Sequence, residues 1–70
     1  MRKSSKLPKT IGKKIQKRRK ALKMTQEDIA EKVGISGVYM GFIEQGRYAP
    51  SLEVLEKIAR ALKVSMSDFF

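Results

Sequence analysis

The feature that most limits the fold of this chain is a turn of only three residues between two short helical segments. Thr25 followed by Asp28 predicts the start of a helix, because these residue types at this spacing form a capping box. Gly34 stands where a left-handed residue ends a helix, and Ser36 can cap the next one. Helices joined by so short a turn must cross steeply, which predicts a helix-turn-helix at about residues 26–45.

Small and apolar residues stand where these two helices would touch. Ala30 permits a close approach, and Ile35 fills the corner between the helices. Val33, Met40 and Ile43 complete a shared core. This spacing favours a DNA-binding motif, and the alternative is an ordinary helical hairpin, which a short turn also permits.

The rest of the chain also carries helix signals. Thr10 can cap a first helix that runs to about Lys23. Ser51 opens a fourth helix, and Ser65 followed by Asp68 repeats the capping-box pattern and predicts a short final turn. Since no segment shows the alternating pattern of a strand, the predicted fold class is all-α.

The size and composition exclude most other ways of stabilising a small domain. The chain has 70 residues and contains neither cysteine nor histidine, so it forms no disulfide and no zinc site. A chain this short buries only about 60% of its unfolded surface, so we expect a lean helical core supported by a second subunit. We expect no metal and no cofactor.

Charge indicates the class of partner. Residues 1–26 hold eleven Lys and Arg and no acidic residue, whereas residues 27–70 hold five basic and seven acidic residues. Such a field attracts nucleic acid, and a merely solvated basic tail is the alternative. Residues 1–9 lack apolar periodicity and contain Pro8, so they are predicted to form a flexible arm. Four basic residues of this arm could follow DNA beyond the motif: Arg2, Lys3, Lys6 and Lys9.

Several other classes of protein are not expected. No apolar run approaches the ~20 residues of a membrane span, and no signal-peptide pattern follows the basic start, so the expected localisation is cytoplasmic. Without His, Cys, a phosphate-binding glycine loop or a carboxylate pair in an evident pocket, the chain is not expected to be an enzyme. No domain for a small-molecule effector is evident.

The sequence resembles a known family. The stretch from Met24 to Ser36, MTQEDIAEKVGIS, is similar to the core of the Cro/phage-repressor (XRE-type) helix-turn-helix family. Similarity to the second half of that family continues in residues 43–46, 50–52 and 58–65, so the resemblance spans about residues 10–70. Residues 39–44 also resemble the small controller proteins of restriction-modification systems.

This resemblance implies a fold and a set of contacts. The fold is a lambda-repressor-like DNA-binding domain of four to five short helices, with helix 3 in the major groove of double-stranded DNA. Arg19 and Glu44 match the paired Arg and Glu of the family and would form a structural ion pair. Phosphate contacts are implied at or beside the family's backbone-contacting positions, which here are Gln26, Tyr39, Gln45 and Arg47.

Helix 3 would read bases with unusual residues. Val38 and Phe42 lie on the side opposite Met40, which predicts apolar contact with thymine methyl groups; scattered exposed apolar residues are the ordinary alternative. Gly37 and Gly41 would allow close approach to DNA. The predicted base-contacting residues are Ser36, Gly37, Val38 and Phe42. Since none is a long polar side chain, DNA shape would supply part of the specificity.

A single domain of this type reads only a few base pairs, so a homodimer on a palindromic operator is expected. The predicted dimer interface lies at the C-terminal end, at Val64, Met66, Phe69 and Phe70. Alternatively, Phe69 docks on its own core and only Phe70 is free. The sequence therefore predicts a sequence-specific transcriptional regulator. The alternative function is an antitoxin or protein-interaction module that uses the exposed face of helix 3.

Overall fold

The computed structural model describes residues 6–70, with side chains from Pro8 onward. Within this range the chain forms four α-helices and one 3₁₀ turn and no strand, as predicted: α1 (Lys6–Ala21), α2 (Gln26–Val33), α3 (Gly37–Glu44), α4 (Leu52–Leu62) and the 3₁₀ turn (Met66–Phe69). No helix in residues 6–70 combines the length and apolar composition that a bilayer crossing needs.

The predicted caps are present at the helix-turn-helix. The Oγ1 of Thr25 accepts a hydrogen bond from the Asp28 N–H at 3.0 Å, and the Asp28 carboxylate accepts one from the Thr25 N–H at 2.9 Å. Gly34 ends α2 with a left-handed φ of 89°. Ser36 then caps α3 by accepting from the Tyr39 N–H at 3.0 Å. Local residues therefore set the start and the end of α2 and the start of α3.

The first helix begins earlier than predicted. It starts at Lys6 rather than at Thr10, so the prediction of a flexible arm is wrong for residues 6–9, including Lys9. The physical reason is the position of Pro8, which lies in the first turn of α1, where the N–H that proline lacks has no helical partner to lose. Arg2 and Lys3 of the predicted arm lie outside the described residues.

One apolar cluster joins all the elements. Its members come from every helix and are at most 6% exposed: Ile11, Ile15, Ile29, Ala30, Val33, Met40, Ile43, Leu55, Ile58, Ala59, Leu62 and Phe69. The final turn contacts both α1 and α4 and places the ring of Phe69 in this core. The prediction of Phe69 as a dimer contact is therefore wrong, because the ring is 1% exposed within a single chain. The alternative, in which only Phe70 is free, is the one observed.

The first helix holds both α3 and α4 in place. Gly12 of α1 lies so close to α3 that a Cβ on it would stand 2.5 Å from the carbonyl oxygens of Ile43 and Glu44. On the neighbouring face of α1, the Arg18 Nε donates to the Leu62 carbonyl at 3.0 Å, which ties α1 to the end of α4. These contacts make α1 a support against which the helix-turn-helix is set.

Candidate nucleic-acid interface

A buried ion pair fixes the inner side of α3 to α1. The Arg19 Nε lies 2.6 Å from the Glu44 Oε2, and the Nη2 donates to Oε1 at 3.0 Å, so the pair is bidentate. The remaining Nη1 donates to the Met24 carbonyl at 2.7 Å. Arginine suits this role because its planar fork matches both carboxylate oxygens. The ion pair that the family resemblance implies is thus present, and it sets the orientation of α3.

Gln26, at the start of α2, joins this ion pair. Its Nε2 donates to the Glu44 Oε1 at 3.0 Å, so the side chain is directed along α3. Its Oε1 would lie 3.3 Å from a Cβ on the buried Gly41. The prediction that Gly41 faces DNA is wrong, because this glycine makes room for the amide of Gln26.

Gly37 is also close to a side chain of α2. A Cβ on Gly37 would collide with the carboxylate of Glu27, which is itself exposed. Of the predicted base-contacting positions, Gly37 therefore offers DNA mainly its backbone beside a carboxylate. The first turn of α3 lies against the first turn of α2.

The outward edge of α3 is narrow and largely apolar. Val38 is 69% exposed. Phe42, one turn further on, is half-buried, and Gln45 at the end of the helix is exposed. Ser36, exposed at the other end, already uses its hydroxyl oxygen to cap α3. The edge from Ser36 to Gln45 thus remains open to a partner, and Val38 is its most prominent side chain.

Beside this edge lies an aromatic flank, formed by Tyr39, Phe42, Arg47 and Tyr48. The Tyr48 ring meets Phe42 edge-on with centroids 5.3 Å apart, and it also contacts Tyr39 at 5.7 Å. The guanidinium carbon of Arg47 lies 5.1 Å from the Phe42 centroid. Sequence reasoning missed Tyr48, because it lies in a loop without periodicity and nothing local shows that it folds back on α3.

The described basic residues of α1 do not all lie on one side. Lys9 is next to the end of α3, since a Cβ on Gly46 would be 2.8 Å from the Lys9 Cα. With Arg47 it places positive charge near the negative end of the helix dipole. The Lys14 Nζ instead reaches the carbonyl of Phe70, next to the final turn, at 3.5 Å. Only part of the N-terminal charge therefore flanks α3.

The family comparison agrees with this geometry. The sequence model of the helix-turn-helix family matches residues 15–69. The chain belongs to the XRE-type helix-turn-helix family. This XRE-type protein is 48% identical over 57 residues to an HTH-type transcriptional regulator of Methanothermobacter thermautotrophicus, covering 80% of the chain and 83% of that relative. It is 45% identical over 58 residues to the immunity repressor of Bacillus phage phi105, which is 83% of the chain but only 40% of the repressor.

Solved structures confirm the lambda-repressor-like fold. The clp gene regulator ClgR from Corynebacterium glutamicum superimposes with a TM-score of 0.88 at 28% identity, over 90% of this chain and 67% of that one. The restriction-modification controller C.AhdI from Aeromonas hydrophila gives 0.86 at 28% identity, over 90% and 96%. The P22 c2 repressor, solved with a synthetic operator, gives 0.81 at 32% identity, over 86% and 91%. This XRE-type protein is a DNA-binding transcriptional regulator.

Proposed function

We propose that this protein recognises a specific operator by placing α3 in the major groove of double-stranded DNA, as a homodimer on a palindromic site. The observation that carries the proposal is the outward edge of α3, where Val38 is 69% exposed while the opposite side is held by the buried pair of Arg19 and Glu44. A rigidly held helix with an open edge is what groove recognition requires.

The proposed contacts divide into two groups. Val38 reads thymine methyl groups, which present apolar surface in the major groove. The base-contacting set is Ser36, Gly37, Val38 and Phe42. Phosphate contacts come from the rim of the site, namely Gln26, Tyr39, Gln45 and Arg47. Because no long polar side chain extends from the outward edge between Gly37 and Phe42, the shape of the DNA supplies part of the specificity.

The proposed dimer uses the C-terminal end of the chain. Phe70 is 59% exposed, and Val64 and Met66 are half-buried beside the core. An apolar contact through these three residues would pair two copies with their recognition helices roughly 34 Å apart, one turn of DNA. Phe70→Glu should shift the sedimenting mass from dimer to monomer, and an unchanged mass would exclude this interface.

Selection of bound sites from random duplex DNA tests the proposed function. We expect a palindromic consensus with thymine at a fixed position in each half-site. If six or more phosphates are contacted, affinity should fall ~10³-fold or more between about 50 and 200 mM salt. Val38→Ala should remove the preference for that thymine. Binding without any sequence preference would contradict operator recognition, and intact operator binding by Val38→Ala would favour a protein partner on this face.

A further inference from the structure

Arg47 is attached to Phe42 in two separate ways. Its backbone N–H donates to the Phe42 carbonyl at 2.9 Å, and its guanidinium carbon lies 5.1 Å from the ring centroid of the same residue. Gly46, with a left-handed φ of 78°, donates to the Ile43 carbonyl at 3.0 Å. These two backbone bonds form a Schellman motif, so the end of α3 itself fixes where residue 47 leaves the helix.

The Phe42 ring is in turn held by a neighbour. Tyr48 meets it edge-on at 5.3 Å, with an interplanar angle of 87°, a favourable arrangement for two aromatic rings. The other contact of Tyr48, with Tyr39 at 5.7 Å, keeps the Tyr48 ring against α3. Arg47 therefore rests on a ring whose own position is restricted.

Within the described part of the chain, the guanidinium donors of Arg47 have no hydrogen-bond partner. Among residues 6–70 the ion pairs join Arg19 to Glu44 and Lys57 to Glu53, and no side-chain hydrogen bond from Arg47 is present. Arg47 is itself exposed. A guanidinium held over a ring but with free N–H groups can accept a phosphate without first losing its side-chain freedom, which lowers the entropic cost of binding.

From these contacts we propose that Phe42 and Tyr48 are positioning residues for Arg47, and that they hold its guanidinium ready for a DNA phosphate beside the end of α3. The proposal rests on the proposed function and deepens it. It gives Phe42 a role in addition to base contact, since the ring supports a charge. It also gives a role to Tyr48, which the sequence did not single out.

A double-mutant cycle tests this role. Phe42→Leu, Arg47→Ala and the double variant are measured on the selected operator, on an operator changed at one base pair under α3, and on a random duplex. Phe42→Leu should weaken binding to the random duplex about two- to fivefold, the range expected for a lost cation–π contact, and should weaken binding to the two operators by at least as much. Arg47→Ala should also lower the slope of affinity against salt by about 1. In the Arg47→Ala background, Phe42→Leu should have no further effect on binding to the random duplex, where no base-specific contact of Phe42 contributes.

Two further variants make the result decisive. Tyr48→Leu changes a half-exposed ring and should weaken binding only while Arg47 is present, which keeps the test available if Phe42→Leu unfolds. Arg60→Ala removes a matched arginine beside Lys32 and Val33, away from the aromatic flank, and should change the salt slope less.

On the random duplex, equal losses from Phe42→Leu with and without Arg47 would overturn the proposal. A loss confined to one operator sequence would also overturn it. Because phosphate contact persists on a random duplex, the cycle remains readable even if operator selection finds no consensus. Failure of the proposed function and failure of this inference are therefore distinguishable.

Discussion

The two faces of α3 differ in almost every respect, although the helix has only eight residues. The inner face carries Met40, Ile43 and Glu44, all buried on the side of α3 that packs against α1 and α2. The outer edge carries Val38, which is 69% exposed and is not a member of the core cluster. The difference teaches that, under the proposed function, one short helix divides stability and recognition between separate residues. Substitutions on the two faces should therefore have separable effects.

The largest effect should come from breaking the ion pair on the inner face. Glu44→Gln keeps the shape but leaves Arg19 charged and buried, which should cost roughly 3–5 kcal/mol of unfolding free energy. The control is Glu53→Gln, whose carboxylate is 80% exposed and 4.0 Å from Lys57, and which should change stability by less than about 1 kcal/mol. Urea unfolding of both variants measures the difference. Equal small losses would show that the pair does not anchor α3.

The next prediction compares the effects of truncating one apolar residue on each face of α3. Met40→Ala, at a position that is 0% exposed, should cost roughly 2–5 kcal/mol through lost burial and a cavity. Val38→Ala should change the unfolding free energy by no more than about 0.5 kcal/mol, because the side chain touches little. For DNA binding we expect the opposite order: Val38→Ala should stay folded but lose its preference for the operator. Thermal unfolding together with gel shifts would show whether the two properties separate.

A smaller effect should distinguish the glycines at the ends of α2 and α3. Gly34 and Gly46 both have positive φ, so alanine at either should cost about 1–2 kcal/mol. A Cβ at Gly34 meets nothing within 4 Å, whereas one at Gly46 would press on the backbone of Lys9. We therefore expect Gly46→Ala to be the more destabilising in urea. If Gly34→Ala were the more destabilising, the backbone near Lys9 would have to move away from the new Cβ at little cost in free energy.

The smallest effect concerns the capping box that starts α2. The backbone hydrogen bond from Thr25, and then the one from its hydroxyl, lower the pKa of Asp28 below its ordinary value of 3.8. Because the pKa of Asp28 is lowered by folding, its carboxylate stabilises the folded state above the ordinary pKa. This stabilisation is lost as the pH falls through the folded-state pKa. The melting temperature should therefore fall less steeply between neutral and acid pH for Asp28→Asn than for the unchanged protein. Parallel curves would exclude a contribution from this cap.

The helix-turn-helix could be predicted from the sequence because its determinants are local. The capping box at Thr25, the left-handed Gly34 and the Ser36 cap each act within a few residues. The early start of α1 does not follow from the sequence pattern, because Pro8 is compatible both with a flexible segment and with the first turn of a helix. The burial of Phe69 depends on contacts with α1, 48 or more positions away in the chain, which no local pattern reports.

The candidate site was predictable to a lesser extent. The ion pair of Arg19 and Glu44 followed from the family resemblance rather than from spacing. The outward position of Val38 followed from the helical period, since it lies opposite Met40. The same period placed Gly41 outward, but it could not show that the amide of Gln26 crosses that glycine. The contact of Tyr48 with Phe42 depends on the path of a loop, and periodicity carries no information about a loop.

The close packing of α3 against Gly12 has a consequence for redesign of the protein. On the outer edge, Val38 can be exchanged with little effect on stability, because its side chain is largely exposed. An alanine at position 12 would instead act as a wedge beneath the carbonyl groups of Ile43 and Glu44 and would tilt the whole helix against its support. Under the proposed function, position 12 would therefore affect the angle at which α3 enters the major groove, although Gly12 lies on the opposite side of α3 from the DNA.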